Sequence, residues 1–315
     1  MNIQHSLIGF SGTLLLSVGC SPRSIEIGVA AESSSQFRNY DSDYGFDYAS
    51  IFYNLTSDVN VKDPYTWVLE GYLDKGIEVN MALILRDGDA QHGNLAEILD
   101  GHFDEHLQRL ADEIEADGRP ITLRPLYEGN GDWFPWGAYT VPNAPGDYAR
   151  AWWHIAEIFE DAPVSLDWNM NRRSGGDAET EDFQDFYPGD DVVDIASISS
   201  YNRCGSNSVY TEWREFSEEF TPAYEEIVSI VSEDTPIAVA ETSTTSLCGG
   251  DKAMWFSNLF DNIIDDYQRV RRVTFFFETI HPGEASNDVL INWAPETERQ
   301  RQAFLSGMEK IRLLK

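Results

Sequence analysis

The sequence predicts one α/β domain, a (β/α)8 TIM barrel, on three observations. Eight short apolar runs recur along the chain. Amphipathic stretches of helical periodicity separate them. No linker, repeat or low-complexity block divides the chain, and no Gly-rich phosphate loop follows a strand as in a doubly wound open sheet.

In order, the strand-like runs are Ile25–Ala30, a weaker Ala49–Tyr53, Val79–Leu85, Ile121–Tyr127, Val164–Trp168, Ile195–Ser199, Ile237–Ala240 and Val273–Phe277. Among the helical stretches, His102–Ala116 sets Phe103, Leu107, Leu110 and Ile114 on one face and closes on Asp117-Gly118. Asp147–Phe159, Glu212–Val231, Lys252–Tyr267 and Glu296–Leu314 behave likewise. Trp152 and Trp153 adjoin within the first of these, so one of them packs the core. Residues 21–315 are read as the one barrel domain.

Residues 1–20 precede that fold. The run from Ser6 to Val18 is apolar, rich in small residues and too short to span as a stable anchor, which suits a signal h-region. It ends Ser17-Val-Gly-Cys20, which resembles a lipobox whose cysteine takes lipid and becomes the new N-terminus; plain cleavage and release is the alternative. The expectation is an extracellular protein anchored through Cys20 to the outer face of the cell membrane. Cys204 and Cys248 then remain for an oxidising compartment. Each follows a predicted neighbouring strand end, so their loops meet; they form a disulfide or stand as two free thiols.

Acidic residues outnumber basic ones 54 to 22, a net charge of −32, and only five of the basic residues are lysine. Such a surface repels nucleic acid and anionic membranes as partners. It also matches an acidic polysaccharide poorly, which favours a neutral one. The carboxylates are scattered (Asp41, Asp43, Glu179, Glu181, Asp182, Glu218, Glu219), as in adaptation to a salt-rich habitat. Nothing indicates an obligate protein partner, and a monomer is expected.

Candidate chemistry lies at strand ends, where barrels of this kind keep their active sites. Leu123-Arg-Pro-Leu-Tyr-Glu-Gly-Asn-Gly-Asp-Trp-Phe-Pro-Trp-Gly137 carries Glu128 into a Gly-Asn-Gly turn and a cluster of rings. Pro236-Ile-Ala-Val-Ala-Glu-Thr242 carries Glu241. Two glutamates at two strand ends are the minimum equipment of a retaining glycosidase. Trp133, Phe134 and Trp136 offer flat apolar faces to pyranose rings, as tryptophans in a core also would. Asn169 and Asn171 follow strand five and either bind hydroxyls or make an ordinary turn. Tyr201 and Asn202 follow strand six. Arg124 alternates inward, either serving the site or forming a core ion pair. Glu278 and Trp293 follow strand eight as further candidates for substrate contact. His92, His102 and His106 lie near one another, but the last two sit on an outer helix without a companion carboxylate motif and read as surface residues. No metal or cofactor is expected, and no Gly-x-Ser-x-Gly elbow is present.

Arg124–Trp136, Tyr187-Pro-Gly-Asp-Asp-Val-Val-Asp194 running into Ser200-Tyr-Asn202, and Pro236–Glu241 resemble, in that order and spacing, segments of glycoside hydrolase family 26 in clan A. The resemblance covers most of Ile25–Lys315. It implies a retaining endo-acting hydrolase, most often a mannan endo-1,4-β-mannosidase. It further implies Glu128 as acid/base, Glu241 as nucleophile and Tyr201 as the nucleophile's hydrogen-bond partner. Tyr127 stands where that family usually places a histidine, and a phenol does not titrate near neutral pH. Alternatives are a β-1,3-1,4-glucanase or β-1,3-xylanase of the same family, or a non-catalytic glycan-binding barrel on the cell surface.

Overall fold

The computed structural model describes residues 23–31, 33–55, 65–85, 93–175, 183–280 and 290–314. The expected signal segment, Cys20 and His92 lie outside the described residues. Eight parallel strands close into one barrel in chain order: β1 Glu26–Ala30, β2 Tyr48–Leu55, β3 Glu78–Leu85, β4 Ile121–Arg124, β5 Val164–Asn171, β6 Ile195–Asn202, β7 Ile237–Thr244 and β8 Val270–Phe276. β8 returns to pair with β1, so the sheet has no free edge. The predicted barrel is the observed one.

Helices cover the outside: α1 Ser34–Tyr44, α2 Thr66–Gly71, α3 Leu95–Leu99, α4 Asp104–Asp117, α5 Pro145–Ile158, α6 Phe216–Ile230, α7 Lys252–Asp265 and α8 Glu298–Arg312. Their ends follow local chemistry. Thr297 and Gln300 form a capping box at the start of α8, and Gly118 takes the left-handed conformation that closes α4. In α5, Trp152 is buried and Trp153 half-exposed, as one tryptophan in the core requires. His106 departs from the surface reading: it is buried with the apolar face of α4, beside Leu107 and Leu110.

The apolar core lies between sheet and helices, whereas the barrel's interior is largely polar. Tyr48 occupies the space that a side chain at Gly28 would need, and its hydroxyl meets the Thr274 hydroxyl at 2.8 Å. The Arg272 guanidinium lies 4.1 Å over the Tyr48 ring and reaches across the barrel to Thr122. Above these groups come Asp167, Arg124, Asn169 and Ser199, all buried. This polar stack floors the mouth where β4, β5, β6 and β7 end.

β4 is shorter than the expected Ile121–Tyr127, because Pro125 has no N–H for the ladder. β5 and β7 are longer than expected. β8 stops at Phe276, and Thr279–Ile280 (β9) pairs antiparallel with Ile291–Asn292 (β10). This small ribbon sets Trp293 against Glu278, whose carbonyl accepts the Trp293 N–H at 3.3 Å. Cys204 and Cys248, in the loops after β6 and β7, are joined as a disulfide with Cα atoms 5.7 Å apart. Among the described residues no helix is long and apolar enough to cross a membrane.

Candidate active site

Beyond Pro125 the chain makes two turns that no L-residue prefers: Leu126 and Glu128 have φ of 46° and 51°. A non-glycine residue in that region costs roughly 1–3 kcal/mol and persists only where its surroundings over-determine it. Here they do. The Glu128 N–H donates to Asn169 Oδ1 at 3.1 Å, Tyr148 Oη donates to the Leu126 carbonyl at 3.1 Å, and the Trp136 indole donates to the Tyr127 carbonyl at 2.9 Å. Gly129 is required because the Tyr148 ring fills the place of any Cβ there. Glu128 therefore sits in a strained turn past the strand, not at the strand's end as its position suggested.

The Glu128 carboxylate accepts from Asn171 Nδ2 at 2.9 Å and from Trp133 Nε1 at 2.7 Å. Neither donor carries a charge. Burial first, and then the charge of Glu241, push its pKa above the usual glutamate value, against the donors Asn171, Ser199 and Trp133. Glu128 is thus set to hold a proton.

Glu241 lies inside β7. Ser199 pairs with Glu241 while Ile198 pairs with Val239, so Ala240 is an extra residue in the ladder. Such a bulge re-aims the following side chain, and here it also frees a carbonyl. Arg124 Nη1 donates to that Ala240 carbonyl at 3.2 Å, and Arg124 Nη2 to Glu241 Oε1 at 2.6 Å. Tyr201 Oη donates to Glu241 Oε2 at 2.7 Å. Both oxygens of Glu241 are engaged, one by a full positive charge. Burial works against the Arg124 charge, but Glu241 and Asp167 outweigh it and raise the arginine's pKa.

The two glutamates face one cleft of about 740 Å³, lined by aromatic rings including Phe52, Tyr127, Trp133, Tyr201, Phe276 and Trp293. Tyr201 and Trp293 touch at 5.2 Å between ring centroids. Of the expected contact residues, Tyr127, Trp133, Tyr201 and Trp293 thus line the cleft. Arg124, Trp136 and Asn169 do not line it: each is 0% exposed, and Arg124 makes the core ion pair that is its alternative reading. Arg124 holds Glu241, Asn169 holds the backbone of Glu128, and Trp136 stacks on Phe134 at 4.8 Å. Glu278 lines a separate pocket of about 210 Å³ with Trp67, Tyr72 and Phe52.

Sequence reasoning missed the guanidinium groups of Arg172, Arg173 and Arg203, which also line the cleft. Their signal was position, since each follows the end of β5 or β6. Among the described residues no group of three or more His, Cys, Asp or Glu side chains could hold a metal ion.

A closed parallel barrel with two carboxylates of opposite environment at its mouth defines a class, barrel proteins equipped for paired acid and base chemistry. The family follows from comparison: the model of glycosyl hydrolase family 26 matches residues 77–242, and the chain belongs to that family. Endoglucanase H of Acetivibrio thermocellus is 30% identical over 253 residues, covering 79% of this chain and 27% of that protein. A mannan endo-1,4-β-mannosidase of Thermothelomyces thermophilus is 25% identical over 252 residues, covering 78% of this chain and 46% of that protein. The chain thus spans less than half the length of either relative. A β-mannanase structure from Bacteroides ovatus shares the fold, with TM-score 0.63, 16% identity, and coverage of 92% of this chain and 90% of that one.

Proposed function

We propose that the protein is a retaining O-glycosyl hydrolase of the mannan endo-1,4-β-mannosidase type. The observation that carries this is the contrast between the partners of its two glutamates. Glu241 is held by a cation and a phenol, Glu128 by neutral donors only. A carboxylate beside Arg124 is fit to attack an anomeric carbon. A carboxyl whose pKa is pushed up is fit to protonate the departing oxygen.

The reaction is a double displacement. Glu241 forms a bond to the anomeric carbon as the glycosidic bond breaks, and Glu128 gives its proton to the leaving oxygen. Ionised Glu128 then takes a proton from water, whose oxygen displaces Glu241 and regenerates both groups. Retaining pairs stand about 5–5.5 Å apart. At an effective dielectric near 20, like charges at that distance repel by roughly 3 kcal/mol, which adds to burial in favouring the protonated form of Glu128. Glu241 as carboxylate therefore keeps Glu128 protonated until the covalent bond removes its charge. Glu128 is then free to act as base.

The mannan assignment draws on relatives named mannan endo-1,4-β-mannosidase and on the β-mannanase fold. A β-1,4- or mixed-linkage glucan is the second reading, favoured by the 30% identity to a relative named endoglucanase and by Tyr127 in the histidine's place. Incubation with galactomannan, lichenan and β-1,3-xylan, followed by reducing ends, separates these. Release from galactomannan, lost in Glu241→Ala, supports the reading, as does chain cleavage partly restored there by azide and detected as the inverted glycosyl azide by mass spectrometry and NMR. Full turnover in Glu241→Ala or Glu128→Ala would refute it.

Export with a lipid anchor at Cys20 belongs to the same proposal. It is supported by the apolar run ending in Gly19-Cys20 and by a disulfide, which persists in oxidising compartments. Cys20→Ala should move the protein from the membrane fraction to the medium.

A further inference from the structure

The positive charge of this chain is scarce and unevenly placed. Acidic residues outnumber basic ones 54 to 22, so a guanidinium seldom lacks an acidic neighbour. Four arginines nevertheless gather beside the cleft, on the segments that follow β5 and β6. Arg172, Arg173 and Arg203 line the main cleft, and with Arg214 they line a side pocket of about 150 Å³ that adjoins it through Tyr201 and Tyr210.

Among the described residues, few of the local carboxylates pair with them. Buried Glu219 of α6 meets Arg172 directly, lies 3.6 Å from Arg173 and 3.9 Å from Arg214. Glu212 pairs with Arg214. Arg203 lies over the Tyr210 ring at 4.9 Å and has no ion pair among the described residues. Among the described residues the wall thus carries four guanidinium groups beside Glu212 and Glu219 in the side pocket, while Glu241 is already held by Arg124 and Asp132 and Glu128 are the other acids of the cleft. Crowding is felt at Arg172, where burial first and then Arg173, Arg203 and Arg214 lower the pKa while Tyr210 opposes them. One arginine would suffice to neutralise Glu219. The remaining charge is exposed toward the cleft: Arg173 is 55% exposed at its side chain.

We propose that Arg172, Arg173, Arg203 and Arg214 form an anion subsite that takes an acidic group, a uronate carboxylate or a sulfate ester, on a sugar of the bound glycan. Planar guanidinium forks suit both groups, because each presents paired oxygens for two parallel hydrogen bonds. The subsite deepens the glycosidase reading and rests on it. It reverses the expectation of a purely neutral substrate, which followed from net charge alone.

The test compares three forms of one polymer: β-1,4-mannan untreated, partly oxidised at C6 to the uronate, and partly sulfated. The expected result is a kcat/KM at least about tenfold higher on one acidic form, the worth of one charge-assisted contact. That advantage should collapse in Arg203→Ala and in the more exposed Arg173→Ala, and survive in part in Arg203→Lys. Preference for the oxidised form identifies a carboxylate, and preference for the sulfated form a sulfate ester. Cleavage of untreated mannan with no preference for either acidic form would overturn the subsite and leave the mannanase reading standing. Should no polymer be cut, glucuronate and mannose are titrated against Glu128→Gln by tryptophan fluorescence. Tighter glucuronate binding that is lost on adding Arg203→Ala then sustains the subsite without the mannanase reading; equal binding of the two sugars overturns it.

Discussion

Replacing Trp133 by phenylalanine isolates one of the forces on Glu128. Its indole N–H donates to Glu128 Oε2 at 2.7 Å, and this bond stabilises the ionised carboxylate. Phenylalanine keeps a flat face for a sugar but has no donor. A hydrogen bond to a charged group contributes about 1.5–3 kcal/mol. Trp133 is 44% exposed, so its donor is the less enclosed partner of the bond and the lower end applies. About 1.4 kcal/mol is one pK unit. The sign is fixed by which form the donor favours. Losing a donor to the carboxylate raises a pKa that burial and Glu241 already hold above the ordinary glutamate value.

Catalysis needs Glu128 protonated at the first step, so the alkaline limb of kcat/KM should move up by about one pH unit in Trp133→Phe. The height of the profile will also drop if the indole contacts sugar, so the position of the limb is the readout. Asn171→Ala, which removes the donor to Oε1 at 2.9 Å, should move the same limb in the same direction. A limb that stays in place in both variants, or moves down, would refute the assignment of Glu128 as the acid. Linkage gives a second check. With the folded pKa raised, the unfolded chain ionises first as pH rises, so this site costs stability above the ordinary glutamate pKa. Glu128→Gln should therefore melt higher than the parent at neutral pH, despite being inactive.

Arg124→Met leaves Glu241 and Asp167 buried without their shared cation, and breaking such a pair costs about 3–5 kcal/mol, read by thermal melting together with loss of turnover. Arg124→Lys should recover part of the stability but less of the rate, since a point charge cannot bond both the Ala240 carbonyl and Glu241 in one plane. Cys204→Ser with Cys248→Ser should cost roughly 4 kcal/mol in denaturant titration, the loop-entropy value for a separation of 44 residues. Molar salt should raise the melting temperature by screening a net charge of −32, and an unchanged or lower value would count against salt adaptation.

The barrel was legible because its signals are local: each strand is a short apolar run, and each covering helix repeats on one face. That Glu128 and Glu241 would share one mouth was legible because they follow predicted strand ends of a closed barrel, and both line the cleft. What escaped was three-dimensional. The extra residue at Ala240 cannot be seen in one strand, because a bulge is defined by the neighbour's register. The left-handed turns at Leu126 and Glu128 run against residue preference and are imposed by Asn169, Trp136 and Tyr148 from elsewhere in the chain. Asn169, Arg124 and Trp136 have the chemistry of sugar-binding residues, and only burial reveals that they hold Glu128, Glu241 and the Tyr127 backbone instead. Trp293 reached the cleft through the ribbon of β9 and β10, whose strands are too short to announce themselves.

The arginine cluster shows where a whole-chain quantity misleads. Net charge governs encounter at long range, and a charge of −32 disfavours an acidic polymer approaching in dilute salt. That field is screened over about 8 Å at physiological ionic strength and about 3 Å at molar salt. Contacts between Arg203 or Arg173 and a bound anion are shorter than this and lie at the edge of a partly closed cleft, so salt weakens them less than it weakens the surface field. An acidic exterior and a basic subsite are therefore compatible once salt screens the long-range field. The rate on an acidic glycan should accordingly rise as salt is first added, as long-range repulsion fades, and fall only when screening reaches contact distances. A rate that falls monotonically from the lowest salt would mean that the arginines govern encounter as well as contact.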